Sequence, residues 1–156
     1  MSNHYFKASL QWNLKSEPDF KSKKIYTKNH TISFEGKESI SVSAAKVFKG
    51  DPTLVNPEDL LLSSVTSCHM MSYLYVCQQN NIEILSYQDH SEAILEVNSD
   101  GSGKITKIIL NPTIKIKDES KIDLAISLHK KANQLCFIAN SCNFPILHHP
   151  SVYAED

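Results

Sequence analysis

Four cysteines, Cys68, Cys77, Cys136 and Cys142, carry the most intrinsic reactivity in this chain. A thiolate is both a nucleophile and a metal ligand, and reducing compartments keep structural disulfides from forming, so four thiols there raise a redox or catalytic role. Residues 1–15 alternate polar and apolar and lack the apolar run of about 7–15 residues that a signal peptide needs, so the cytoplasm is the expected location. Cys68 falls in the middle of one expected helix and Cys136 at the end of another, 68 positions later, so only the fold can bring them together. By spacing alone each reads first as a small buried hydrophobe, and Cys77 and Cys142 read so more strongly. Cys68-His69, His129, Cys136 and His148-His149 offer soft and imidazole ligands, but no C-x2-C or H-x3-H pair presents two of them locally. Neither a metal nor another cofactor is therefore expected, and His148 and His149 are expected to be solvated.

These residues must be positioned by one domain spanning 1–156. Alternating segments over 5–12, 24–34 and 40–44, with a turn at Phe34-Glu35-Gly36-Lys37, predict an antiparallel meander. Gly50, Asp51 and Pro52 mark a loop within 46–55. Asn56 as N-cap, Pro57 at the first helical position, and Glu58 and Asp59 at the positive end of the dipole start a helix over 57–79, which Asn80-Asn81 ends. Leu61, Val65, Cys68, Ser72 and Tyr75 recur on one stripe, and further apolar residues surround it, so this helix should be buried on more than one side. Segments 87–97 and 104–116 flank Ser99-Asp100-Gly101-Ser102-Gly103 as a hairpin. A second helix over 121–136 should turn Leu124, Ala125, Leu128, Ala132 and Leu135 inward. A short strand over 144–147 and a tail over 152–156 complete the chain. The fold class is α+β: antiparallel strands with two main helices.

Composition narrows the function. With 41% hydrophobic and 21% charged residues the chain is an ordinary globular domain, large enough to form a core without disulfides. Its net charge of -1 and scattered lysines, apart from Lys21, Lys23, Lys24 and Lys28, give no concentrated basic face, so no nucleic-acid partner is expected. Leu60 to Leu62 is soon interrupted by Ser63 and Ser64, so no membrane span is expected either. All sixteen basic residues are Lys, so any carboxylate partner meets a compact ammonium and not a planar guanidinium fork.

Phe48-Lys49-Gly50-Asp51 followed by Asn56-Pro57-Glu58-Asp59-Leu60-Leu61-Leu62-Ser63-Ser64-Val65-Thr66-Ser67-Cys68-His69-Met70 closely resembles the first-cysteine helix of the OsmC-like family. That family includes the osmotically inducible and organic hydroperoxide resistance proteins. Ala132-Asn133-Gln134-Leu135-Cys136-Phe137-Ile138-Ala139-Asn140-Ser141 resembles its second-cysteine region. Two motifs in the right order, with the matching succession of strands and helices, extend the resemblance over most of the chain. It implies a thiol peroxidase and an intertwined homodimer with the cysteine helices at its centre. By the match, Cys68 attacks the peroxide, Cys136 resolves the product as a disulfide, and Glu58 is the acidic residue of the NPE motif. In many members that Glu orients an Arg that holds the thiolate. This chain has no Arg, and Lys28, preceding Asn29-His30, stands in the corresponding place; its other reading is an ordinary exposed strand residue. The resemblance also implies an organic hydroperoxide as substrate and a dithiol reductant such as a lipoylated protein.

The chemistry sets its own conditions. A free thiol titrates near 8.5, so a cation, Lys28 or His69, must lower Cys68 for reactivity at neutral pH. Glu58 and Cys68 stand ten residues apart, about 15 Å along one helix, so Glu58 cannot reach that thiol. Glu58 and the basic residue are therefore expected to serve Cys68 of a second copy. The Leu, Met and Tyr residues around Cys68 favour apolar organic hydroperoxides over hydrogen peroxide. The alternative is a non-catalytic stress or small-molecule-binding protein that keeps the fold; the missing Arg supports it.

Overall fold

The computed structural model describes residues 2–14 and 26–154 and divides into two compact units, 1–60 and 61–156. Lys21, Lys23 and Lys24, the first residues of the strand expected over 24–34, and the last two residues of the expected tail lie outside the described residues.

The first unit is the expected meander. Strands β1 (Ala8–Gln11), β2 (His30–Phe34) and β3 (Ile40–Val42) pair antiparallel in that order, with Ala8 opposite Phe34 and Ile32 opposite Ile40. Gly36, at φ 70, takes the left-handed place in the turn that Lys37 N–H closes onto Phe34 O at 3.2 Å. The segment expected to be a loop contains a single 3-10 turn, Lys46–Phe48, before Gly50 passes so close to Ala44 that a Cβ there would lie 1.7 Å from the Ala44 carbonyl oxygen. Ser43 N–H donates to Val55 O at 2.9 Å, which delivers the chain to the helix start. Asn56 caps as expected: its Oδ1 accepts from Asp59 N–H at 2.9 Å. Asp59 Oδ2 returns the bond by accepting from Asn56 N–H at 3.1 Å. Helix α1 (Pro57–Gln79) has the predicted bounds and runs from the first unit into the second.

The second unit holds two three-stranded sheets, ordered β4-β7-β9 and β5-β6-β8. The two long arms expected at 87–97 and 104–116 are each broken, giving β4 (Ile84–Asp89), β5 (Glu92–Val97), β6 (Gly103–Leu110) and β7 (Pro112–Ile116). Asp89 makes the break. Its Oδ1 accepts from Ser91 Oγ at 2.7 Å and from Asn111 N–H at 2.9 Å, while Asn111 Nδ2 donates to His90 O at 2.9 Å. Both arms change sheet at this corner, so β5 and β6 form the hairpin and β4 pairs with β7. Strand β8 (Ile146–His148) adds parallel to β6. The expected tail is a strand, β9 (Ser151–Ala154), parallel to β7.

Helix α2 (Ile122–Leu135) is followed at once by a short helix that the sequence did not announce, α3 (Phe137–Ser141). Ala125 and Ala132 are buried as expected, but Leu124 is 41% exposed and His129 takes the inward place. On α1 the buried residues are Val65, His69, Tyr73, Val76 and Cys77, whereas Cys68 and Ser72 are half-buried and Met71 and Tyr75 are exposed. The inward face is thus rotated away from the expected stripe, because α1 is apolar on all sides and only the fold chooses which side packs. By length and a mean hydropathy of 1.3, α1 could cross a membrane. Here its inward side packs into the core, with Tyr73, Val76 and Cys77 against Ile114, Ile116, Ala125 and Ala132, and Val65 against Ile105, Ile108 and Leu110.

Candidate functional site

Cys68 lies on the outer side of α1. Its side chain lines an open, mainly apolar cavity of about 340 Å³ with Met71, Ser72, Tyr75, Leu135 and Phe137. Two of those walls, Leu135 and Phe137, flank Cys136 in sequence. Cys136 itself is fully buried at the joint where α2 ends and α3 begins. There it caps α3, its Sγ accepting the Ala139 N–H at 3.3 Å. The Cys68 side chain is a neighbour that acts on the Cys136 thiol, so the fold brings together two positions 68 residues apart. Burial pushes the Cys136 thiol up to about 11, opposed by the Ala139 N–H and reinforced by the neighbouring Cys68. In the reduced protein Cys136 is therefore a neutral thiol, held in place by a backbone donor.

The other two cysteines stand apart. Cys77 is buried beside Tyr73, and burial raises its pKa. Cys142 sits at the far end of α3, half-buried against the Val65 and Ile108 cluster, and burial raises it too. Both fit the packing reading.

Glu58 and Lys28 belong to the first unit, Cys68 and Cys136 to the second. Glu58, in the first turn of α1, is half-buried, and its enclosed Oε2 has no hydrogen-bond partner among the described residues. Lys28 is exposed, and its Nζ donates to Phe48 O at 2.5 Å. Its ammonium is therefore engaged by the Phe48-Lys49-Gly50-Asp51 motif through a carbonyl.

His69 cannot supply the positive charge. It faces the core, and burial first, then the neighbouring His148, holds it down to about 4, so it is neutral at pH 7. Its Nε2 lies 3.0 Å from His129 Nδ1, its ring stacks on His148 with centroids 4.6 Å apart, and His129 stacks on Tyr73 at 3.9 Å. His148 is thus a half-buried member of an aromatic stack, not the solvated residue expected; His149 is exposed. Nothing in the spacing of 69, 129 and 148 announces this cluster, since each residue comes from a different element. Among the described residues no group of three or more His, Cys, Asp or Glu side chains is arranged to hold a metal ion.

Comparisons with known proteins agree on one family for this α+β chain. The model of the OsmC-like protein family matches residues 50–148. An uncharacterized protein of Bacillus subtilis, YmaD, is 30% identical over 104 residues, 65% of this chain and 69% of its own length. An OsmC-like protein of unknown function from Vibrio cholerae superposes with a TM-score of 0.84 at 28% identity, over 95% of this chain and 99% of that one. An organic hydroperoxide resistance protein from Elizabethkingia anophelis shares the fold at a TM-score of 0.70 and 15% identity, over 99% of each chain. This chain belongs to the OsmC-like family.

Proposed function

We propose that this protein is a cysteine-based peroxidase that reduces organic hydroperoxides to alcohols. The observation that carries the reading is the proximity of Cys68, at the apolar cavity, to the enclosed Cys136. The Cys68 thiolate attacks the outer oxygen of the O–O bond; that bond breaks, the alkoxide takes a proton and leaves as the alcohol, and Cys68 becomes a sulfenic acid. The Cys136 sulfur then displaces hydroxide from the sulfenic acid, water leaves with the Cys136 proton, and a Cys68–Cys136 disulfide remains. A dithiol, such as a lipoylated protein, returns two electrons.

The protein works as a homodimer in the cytoplasm, and Glu58 and Lys28 of one chain serve Cys68 of the other. The enclosed, unpartnered Glu58 Oε2 supports a role in holding a cation, and the helical rise of about 15 Å over the ten residues from Glu58 to Cys68 supports a role across chains. The apolar cavity supports a preference for organic hydroperoxides over hydrogen peroxide.

Reduced protein treated with one equivalent of cumene hydroperoxide should lose two thiols and show a Cys68–Cys136 link by peptide mass mapping, absent in Cys68→Ser. Four surviving thiols would overturn the proposal. They would favour the second reading, a non-catalytic stress or small-molecule-binding protein, which the absence of Arg and the engagement of Lys28 by Phe48 O support. A monomer with full activity on size-exclusion chromatography would refute the shared site.

A further inference from the structure

The two sulfurs that would form the disulfide differ in a way that decides how it is reopened. Cys68 presents its side chain to the cavity. Cys136 has no exposed surface and does not line the cavity, although Leu135 and Phe137 on either side of it do. Thiol–disulfide exchange is a displacement at sulfur, so its site depends on access and on how well the departing thiolate is accommodated. A nucleophile entering the cavity meets Cys68, with Cys136 behind it. On departure, the Cys136 sulfur already has a donor in place, the Ala139 N–H at 3.3 Å. A hydrogen bond of that kind strengthens when the acceptor becomes charged.

We infer that the reductant attacks the disulfide at Cys68, forming a mixed disulfide there and releasing Cys136 as a thiolate onto the Ala139 N–H. This deepens the proposed peroxidase cycle and rests on the same cysteine pair. The first thiolate of an aliphatic dithiol forms a bond to Cys68 Sγ as the Cys68–Cys136 bond breaks, and the electron pair goes to Cys136. The second thiol of the reductant then displaces Cys68 as a thiolate, and the reductant leaves as its own disulfide, having given up two electrons.

One effect opposes this order. Burial that raises the Cys136 thiol makes its thiolate a more reluctant leaving group than a free thiol's. Access outweighs that effect, because Cys136 has no exposed surface and does not line the cavity, whereas Cys68 does.

The test forms the disulfide with diamide, so that it does not depend on peroxide turnover. Oxidised protein is mixed with excess 2-mercaptoethanol, quenched in acid within seconds, alkylated and mapped by mass spectrometry. The adduct is expected on Cys68 in at least about tenfold excess over Cys136. An adduct predominantly on Cys136, or equal labelling, would overturn the inference, as would failure of diamide to link the two. In parallel, single-cysteine reactivity toward an aromatic disulfide should be faster for Cys68 in Cys136→Ser than for Cys136 in Cys68→Ser; the reverse order also overturns it. A link with diamide but none with cumene hydroperoxide would instead remove the peroxidase reading and leave the order of attack standing on the diamide result.

Discussion

His69 Nε2 and His129 Nδ1 lie 3.0 Å apart, buried between α1 and α2. With both rings neutral, one nitrogen donates and the other accepts; a second proton on the pair leaves two donors facing each other. His148 stacks on His69 from β8, Tyr73 stacks on His129 from α1, and Asp89 on β4 is the acidic group that pulls His148 back upward against burial.

Stability should therefore fall in mild acid. His69 is lowered from 6.5 to about 4 and His129 from 6.5 to about 3, in each case by burial first. A base whose folded pKa is depressed leaves stability intact above its unfolded pKa, and below it the unfolded chain binds protons that the folded chain refuses. The loss begins as pH drops below 6.5 and is complete for His69 near 4, amounting to about 3 kcal/mol from that residue. Urea titrations at pH 7.5, 5.5 and 4.5 should show a falling midpoint, and His129→Gln should flatten the slope.

Removing the cap at the start of α1 should be measurable. Asn56→Ala deletes the acceptor for Asp59 N–H, while the backbone N–H of residue 56 keeps its bond to Asp59 Oδ2. A loss of about 1 kcal/mol in chemical denaturation is expected, with Asn56→Ser largely restoring it.

Gly50 should tolerate no side chain. In Gly50→Ala the new Cβ would meet the Ala44 backbone at 1.7 Å, and a backbone atom cannot swing aside. A loss of about 3 kcal/mol or more is expected, read by thermal unfolding, together with exposure of the segment to limited proteolysis.

Cys136→Ser should separate attack from resolution. Its first turnover with cumene hydroperoxide should match the parent protein, but with no second thiol beside Cys68 the sulfenic acid persists and proceeds to sulfinic acid under excess peroxide. Intact mass after a peroxide titration reads this directly. Cys77→Ser and Cys142→Ser should behave like the parent, since neither thiol stands at the cavity.

How much of this was legible in the sequence depends on whether the signal is local. Asn56-Pro57 and Asn80-Asn81 act on their immediate neighbours, so the bounds of α1 follow from them. Which side of α1 turns inward does not, because its Leu, Val, Met and Tyr residues surround the axis and only packing against β6, β7, β8 and α2 chooses Val65, His69 and Tyr73 over Cys68 and Tyr75. The split of the two long arms escaped because Asp89 and Asn111 make it together across 22 positions. The proximity of Cys68 to Cys136 was legible only through resemblance to a family. The histidine stack had no sequence signal at all, and α3 was hidden because a cysteine is an unusual helix cap.

The parallel addition of β8 to β6 and β9 to β7 sets a limit on how this protein can be made. Each of the two sheets is completed by a strand drawn from residues 146–154, more than thirty positions after the strand it joins. During synthesis on the ribosome the β4–β7 and β5–β6 pairs can form early, but each waits with one open edge until the last strands emerge. The α1 side chains that will be enclosed remain uncovered meanwhile. Both sheets therefore close late relative to translation, and in that interval their open edges and apolar side chains are most exposed to mispairing.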